Sequence, residues 1–372
     1  MVRVSRSNSS SPRGTCPLGQ RSHRTRPESG PGERIKPYSN TPRESLRTLP
    51  AITVTPLAFE SLGVRSMCTL VKTRDVTVLL DAGVALGPRF RLMPHPQEYK
   101  ARDEARKRIE DAAAGANVVT ISHYHNDHHT PNYEDPVWLG SGPESLERIY
   151  KDKIILAKDS RRKINTAQRR RGWMFRQTAE KIAKKLEAAD GQAFEFGRTT
   201  LRFPPPVPHG EDESGLGWVL ICVVECSKEK IIFAPDVQGP VVPETVRLIL
   251  SEEPDLLVMG GPPTYLQGFR IGEGFFQAAV RHMEEIVQKI PTVVVDHHLL
   301  RDDGWYKFLE PVRASAEKSG HRIITAAELA GEEARPLECQ RRKLYEENKP
   351  NREFLKWAKL PKEKQSLTPP PL

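Results

Sequence analysis

One short run of the 372-residue chain carries three histidines and an aspartate at a spacing suited to metal binding: Ser122-His123-Tyr124-His125-Asn126-Asp127-His128. His123 and His125 follow a predicted strand two residues apart, so both imidazoles project to one side and could share an ion. If the chain then turns, Asp127 and His128 offer donors to a neighbouring ion. Imidazole and carboxylate suit zinc best, with iron or manganese as alternatives. Histidines that are only solvated or hydrogen-bonded are the other interpretation, which this spacing disfavours.

Two metal ions need more donors than this run supplies. Three further residues each follow a predicted strand: His209, Asp236 and His297. Taken alone, each would be interpreted as a capping or core residue. Beside the histidine run they become candidate ligands, and the two oxygens of Asp236 could bridge two ions. His298 adjoins His297, and a slip of one residue would exchange them.

Apolar patterns predict the elements that must position these side chains. The predicted strands are 66–72, 76–80, 117–121, 153–157, 199–203, 218–226, 230–234, 255–259, 292–295 and 321–325. The predicted helices are 97–114, 163–189, 243–251, 272–289 and 305–318. Hairpins followed by strand–helix alternation occur in both halves, which predicts an α/β fold of two packed sheets with helices outside both.

The order of these motifs resembles that of the metallo-β-lactamase superfamily. The resemblance covers roughly residues 57–325 and runs through Asp81, the histidine run, His209, Asp236 and His297. The stretches 59–64 and 295–302 are most similar to a mostly archaeal, uncharacterised branch of metallo-hydrolase-like proteins. The resemblance implies a four-layer αββα sandwich, with the metal ions at the edge between its two sheets.

The same resemblance implies a role for each residue and two divalent metal ions, with Zn²⁺ expected and Fe or Mn as alternatives. The implied ligands of the first ion are His123, His125 and His209, those of the second are Asp127, His128 and His297, and Asp236 lies between the ions. Asp81 would orient the histidine loop without binding metal. His298 would support the ligands in the same way.

The predicted function is that of a metal-dependent hydrolase, because two cations sharing an oxygen lower the pKa of water to about 7. Asp127 could orient or deprotonate that water, and a small molecule or a phosphodiester is the expected substrate, with phosphate esters favoured. Two alternatives stay open: a nucleic-acid-binding protein with a structural metal site, and an iron-dependent thiol oxidoreductase of the same fold. His125 disfavours the second alternative, since redox relatives usually have Glu at its position.

A predicted basic helix gives a further candidate surface. Residues 161–185 contain ten Lys/Arg near Trp173 and Phe175, and cationic side chains beside aromatic rings suit single-stranded nucleic acid. A solvated face around an apolar stripe is the simpler interpretation.

Composition predicts the organisation of the rest of the chain. Residues 1–52 form a predicted disordered extension rich in Ser, Pro and Arg, 53–330 a metallo-β-lactamase-like domain, and 331–372 a charged helical tail. Residues 1–50 contain ten Lys/Arg and three Glu, so the extension carries most of the net charge of +9. A transit peptide and a nucleic-acid-binding arm are alternatives for the extension.

The cysteines and the hydropathy of the chain indicate where in the cell the protein is expected. Five scattered cysteines fit a reducing compartment rather than a disulfide framework. Cys222 and Cys226 would lie on one face of a strand as buried small groups. Because no apolar run is long enough to span a bilayer, a soluble cytoplasmic protein is predicted.

Overall fold

Two β-sheets form the centre of the fold in the computed structural model, which describes residues 51–212 and 215–372. The first sheet has six strands in sequence order: β1 (Ile52–Phe59), β2 (Met67–Thr73), β3 (Thr77–Leu80), β4 (Val118–Ile121), β5 (Ile154–Ala157) and β6 (Lys185–Ala188). Strands β1 to β3 pair antiparallel, and β3 to β6 pair parallel. The predictions for residues 1–50 lie outside the described residues.

The second sheet has seven strands in the order β15-β14-β13-β12-β11-β8-β7. Their bounds are β7 (Ala193–Phe196), β8 (Thr199–Arg202), β11 (Cys222–Cys226), β12 (Glu229–Ala234), β13 (Leu256–Gly260), β14 (Thr292–Asp296) and β15 (Arg322–Ile324). Strands β12 to β15 are parallel, and the others pair antiparallel. A separate two-stranded ladder joins β9 (Val207–Pro208) to β10 (Trp218–Val219).

Helices follow or connect these strands. Their bounds are α1 (Pro96–Gly115), α2 (Pro143–Tyr150), α3 (Thr166–Ile182), α4 (Pro243–Ser251), α5 (Glu273–Lys289), α6 (Trp305–Lys318), α7 (Ala326–Leu329), α8 (Arg341–Glu347), α9 (Arg352–Trp357) and α10 (Lys362–Gln365). Within the described part of the chain, each helix is too short or too polar to cross a membrane.

Successive side chains of a strand point to opposite faces of its sheet, and this alternation separates the buried residues into three hydrophobic layers. In β3, Val78 and Leu80 pack between the two sheets, whereas Leu79 packs with α1, α2 and α3. In β12, Phe233 packs between the sheets, and Ile232 packs with α4, α5 and α6. Helices therefore cover the outer face of each sheet, and the predicted four-layer αββα sandwich is confirmed.

The segment predicted as a charged helical tail has an apolar face in the first outer layer. Leu344 of α8 and Phe354 and Trp357 of α9 belong to the same cluster as Tyr99 of α1. The fully buried Arg341 at the start of α8 donates to both carboxylate oxygens of Glu98 in α1, at 2.8 and 2.7 Å.

One element prediction is wrong in a way that tertiary structure explains. The helix predicted over 163–189 ends at Ile182, and Lys185–Ala188 form β6 instead. Their composition favours a helix, but the edge of the first sheet offers hydrogen bonds, and they pair parallel with β5. Strand β1, strand β7 and helix α2 were not predicted. Cys222 and Cys226 are both buried on one face of β11, as predicted, and that face lies between the sheets.

Candidate metal centre

Three of the predicted site residues and the histidine loop follow strands at one edge of the fold. Asp81 follows β3, Asp236 lies two residues after β12, His297 follows β14, and the histidine loop follows β4. The carboxyl ends of parallel strands meet at one edge, which is where sites form in α/β folds. Asp81, Asp236 and His297 have positive φ angles of 49°, 51° and 67°. Such backbone conformations cost free energy in non-glycine residues and concentrate at functional sites.

Asp236 lies at the centre of the cluster. Its Oδ2 atom is 2.9 Å from Nε2 of His209, 3.2 Å from Nε2 of His123 and 3.9 Å from Nδ1 of His125. One donor atom from each of these four residues lies within 4.8 Å of every other. This spacing allows all four residues to bind one ion.

A second group adjoins the first. Donor atoms of Asp127, His128 and His297 also lie within 4.8 Å of one another. Nε2 of His297 is 3.0 Å from Oδ1 of Asp236, whereas Nε2 of His128 is 3.3 Å from Oδ2. The structure thus brings together all seven residues predicted as ligands: Oδ1 of Asp236 lies nearest His297, and Oδ2 faces His209, His123 and His128.

His297 and His298 both approach Asp236, but their second ring nitrogens differ. Nδ1 of His297 is 2.8 Å from Oε2 of Glu60, which directs Nε2 toward the centre. His298 instead faces Asp236 with Nδ1, at 3.6 Å from Oδ1, and no hydrogen bond to a described residue tethers its ring. The tethered ring has the arrangement usual for a metal-binding histidine, so we expect His297 to be the ligand. His129 is turned away, with Nδ1 2.9 Å from the carbonyl oxygen of His125.

The donor set fits divalent cations. Both carboxylate oxygens of Asp236 are buried and form no hydrogen bond with any described residue. A buried carboxylate without hydrogen bonds is costly, and a cation bound between Asp236 and the surrounding imidazoles would offset that cost. Imidazole and carboxylate donors suit zinc, with iron and manganese also compatible.

Asp81 holds the histidine loop in place. Its Oδ1 atom accepts from the backbone N–H of Ser122 at 2.7 Å, and its Oδ2 lies 2.8 Å from Nδ1 of His128. The first contact fixes the start of the loop, and the second orients the His128 ring. Asp81 also lies close enough to His123 and His128 to form a third group of donors.

Two buried charged residues near the centre were not identified as functional from the sequence. Oε1 of Glu60 accepts from Nε of Arg301 at 2.6 Å, and Nη2 of Arg301 donates to Oδ2 of Asp127 at 3.2 Å. Glu60 therefore links His297 to Arg301, and Arg301 restrains Asp127. A charged residue within the apolar stretch 57–64 was the available signal, because a carboxylate there must be paired once buried.

Helix α3 supports the histidine loop from the other side. Oε1 of the buried Gln168 accepts from the backbone N–H of Tyr124 at 3.2 Å, and its Nε2 lies 3.4 Å from Nε2 of His125. Arg171 donates to the carbonyl oxygen of Tyr124 at 3.2 Å. The predicted basic helix thus has a face turned toward the candidate centre.

The electrostatic environment separates the protonation states of the cluster. Burial would raise the pKa of Asp127, but the charges of His128, His297 and Arg301 hold it well below its usual range. Burial lowers the pKa of His123 well below that of free histidine. Burial also opposes the charged form of His297, but Glu60 and Asp236 outweigh it and raise its pKa to about 9. Asp127 is therefore an ionised acceptor at neutral pH.

A cavity of about 620 Å³ opens over the cluster. Its lining includes His125, Asp127, His209 and His298, together with polar and basic residues. It also includes the apolar side chains of Trp138, Leu216, Leu266 and Ile271, here called the apolar wall. This volume suits a small molecule or one end of a larger substrate.

Gly83 allows the histidine loop to pack closely against the chain after β3. A Cβ atom at this position would lie 2.5 Å from the backbone N of His128 and 2.6 Å from its carbonyl carbon. We expect Gly83→Ala to displace the loop and weaken metal binding about 10- to 100-fold, as for other residues that position ligands. Competition with a chromophoric chelator would measure this change. Gly115→Ala is the control, since a Cβ there has no atom within 4 Å, and equal affinities in the two variants would contradict the expectation.

Comparison with known proteins gives close relatives in archaea. No family model matches the chain. The UPF0282 protein of Methanopyrus kandleri is 42% identical over 292 residues, covering 78% of this chain and 98% of the relative. The UPF0282 protein of Methanocaldococcus jannaschii is 42% identical over 293 residues, covering 78% and 96%. These relatives confirm the predicted similarity to a mostly archaeal branch.

Solved structures show more distant similarity. Unliganded yeast PDE1 has a TM-score of 0.45 and 14% identity, covering 74% of this chain and 97% of the other. Tm1679, described as a metal-dependent hydrolase of the β-lactamase superfamily, has a TM-score of 0.41 and 13% identity, covering 74% and 95%.

Proposed function

This chain belongs to the UPF0282 protein family, and from that premise we propose that it is a metal-dependent hydrolase with two divalent metal ions, expected to be Zn²⁺. One observation carries the proposal: donor atoms of six side chains, from both halves of the fold, converge around the buried carboxylate of Asp236. In the proposed arrangement His123, His125 and His209 bind one ion and Asp127, His128 and His297 the other. Asp236 would bridge the two.

When bound, such ions supply a Lewis acid and make water acidic enough to ionise near neutral pH. The residues of the chain orient that reaction. Asp127, ionised and restrained at Oδ2 by Arg301, would accept a hydrogen bond from the attacking water at Oδ1 and orient it. As a carboxylate paired with Arg301, it is suited to orienting the water. The apolar wall around Trp138 would exclude bulk water from the bond that is cleaved.

The proposal is tested by elemental analysis followed by activity assays. We expect the purified protein to contain close to two equivalents of a transition metal and to cleave at least one compound in a panel of phosphodiesters, thioesters, lactams and lactones. His123→Ala should lose metal and activity together, because it removes a ligand from a coordination sphere. Wild-type protein without bound transition metal would rule the proposal out. Iron with oxygen consumption would instead indicate the thiol oxidoreductase.

The exposed side of α3 favours a second candidate, a nucleic-acid-binding protein with structural metals. Trp173 is 60% exposed and lies among Arg161, Arg169 and Arg170 around an open groove. Aromatic stacking beside cations suits single strands. This candidate predicts salt-sensitive binding of single-stranded RNA that persists in His123→Ala and is lost in Trp173→Ala, without hydrolysis.

A further inference from the structure

Four basic side chains line the cavity over the metal centre, and they differ in how their charge is neutralised. Arg65 forms a two-bond ion pair with Glu338, at 2.5 and 2.7 Å. Arg301 is paired with Glu60 and Asp127. In the part of the chain that the structure describes, Arg171 and Lys362 have no carboxylate within ion-pair distance. Lys362 is exposed, as surface lysines commonly are, so the half-buried Arg171 is the informative residue.

The hydrogen bond that Arg171 forms does not require a charge. One N–H group of its guanidinium donates to the carbonyl oxygen of Tyr124 at 3.2 Å. Its other N–H groups form no hydrogen bond with a described residue. A neutral amide donor could hold the same carbonyl, yet the chain has a guanidinium here, whose planar fork matches the oxygens of phosphate and carboxylate.

Arg171 lies where its charge could contact a substrate bound at the candidate metal centre. Arg171 lines the same cavity as His125 and Asp127, so one molecule of modest size can contact both Arg171 and the ions. Arg170, the next residue in α3, is exposed and borders the separate groove around Trp173. The two adjacent arginines therefore face different surroundings.

We infer that Arg171 is a specificity-determining residue that binds an oxyanion of the substrate, so that the natural substrate is an anionic ester rather than a neutral one. This inference rests on the proposed hydrolase and adds the class of substrate to it. Both a phosphate and a carboxylate group have the required chemistry. The cleaved bond and the bound anion then lie in one cavity, with the apolar wall facing the rest of the molecule.

Calorimetric titration tests the inference without turnover. Inorganic phosphate and acetate are titrated separately into zinc-loaded full-length protein, as wild type, Arg171→Gln, Arg171→Lys and Arg170→Gln. Arg171→Gln removes the charge and the guanidinium fork but retains a neutral amide donor on a shorter side chain, and Arg171→Lys retains the charge without the fork. We expect Arg171→Gln to weaken binding of the preferred anion at least about tenfold, Arg171→Lys to weaken it less, and Arg170→Gln to stay within about twofold of wild type. The anion with the larger effect identifies phosphate or carboxylate as the bound group.

Wild-type protein that binds neither anion would overturn the inference, and so would Arg171→Gln protein that binds both as tightly as wild type. Equal weakening in Arg170→Gln would also overturn it, since general surface charge would then be the cause. Metal content of each variant is measured in parallel. Anion binding through Arg171 in a protein that cleaves no ester would refute the hydrolase proposal, and with it the ester substrate, and would leave Arg171 as an anion-binding residue. Hydrolysis that proceeds with unchanged anion binding in Arg171→Gln would refute the inference alone.

Discussion

Replacing Asp127 with asparagine is expected to lower kcat by a factor of about 10²–10⁴, the range typical of removing a group that handles the proton of a reacting water. Asparagine has nearly the same shape and can still accept from Arg301 through its amide oxygen. It lacks the negative charge that attracts a cation and holds the water. The loss should therefore appear in kcat, together with partial loss of the ion held by His128 and His297, while the fold is retained.

Steady-state kinetics on an ester that the wild type cleaves, with metal content of the same samples, would measure both effects. Asp135→Asn is the matched control. Asp135 lines the same cavity but accepts from the backbone N–H groups of Val137 and Trp138 and lies outside the donor groups. Asp127→Asn protein with full metal content and wild-type kcat would show that Asp127 is neither ligand nor catalytic residue.

Replacing Arg341 with methionine is expected to lower the free energy of unfolding by about 3–5 kcal/mol, because it leaves the Glu98 carboxylate buried without its counter-charge. Neither side chain is accessible to solvent. Arg341 also donates to the carbonyl oxygens of Gly87 and Leu92, at 2.9 and 3.1 Å. One substitution thus removes hydrogen bonds from the start of α1 and from the loop that precedes it.

Urea unfolding monitored by circular dichroism would measure the change. Lys343→Met is the control, because Lys343 is an exposed residue of the same helix. The double variant Arg341→Met/Glu98→Gln should recover much of the lost free energy of unfolding, since neither member of the pair is then charged. The side-chain amide oxygen introduced by Glu98→Gln can still accept from the backbone N–H of His95. A single variant within about 1 kcal/mol of wild type, the size of an ordinary substitution, would show that the pair contributes little.

The donor residues of the site could be predicted from the sequence because the information is local. The spacing of His123, His125 and His128 is contained in a few residues, and the strand pattern before each of the other donors is readable in its own segment. The layers of the fold could be predicted from the alternation of side chains between the two faces of a strand, as Val78, Leu79 and Leu80 illustrate. Local pattern and the final structure agree for β3, β4, β12, β13 and β14, whose residues are mostly buried.

The residues that sequence reasoning missed act over long distances in the chain. Glu60 and Arg301 are 241 residues apart, and Glu98 and Arg341 are 243 apart. Nothing near either member of a pair specifies its partner, because buried charges are matched only when the whole fold forms. Strand β6 was missed for a related reason: its residues favour a helix, and the open edge of β5 decides otherwise.

The same long-range pairing has a consequence for how the protein acquires its structure. Helices α8 and α9 complete the outer layer of the first sheet. Its hydrophobic cluster therefore cannot form in full until the second sheet, which lies between α3 and α8 in the sequence, has folded. Closing so large a loop carries an entropic penalty and slows folding. We therefore expect the two halves to fold as one cooperative unit, with fragments that end before α8 exposing apolar surface and aggregating.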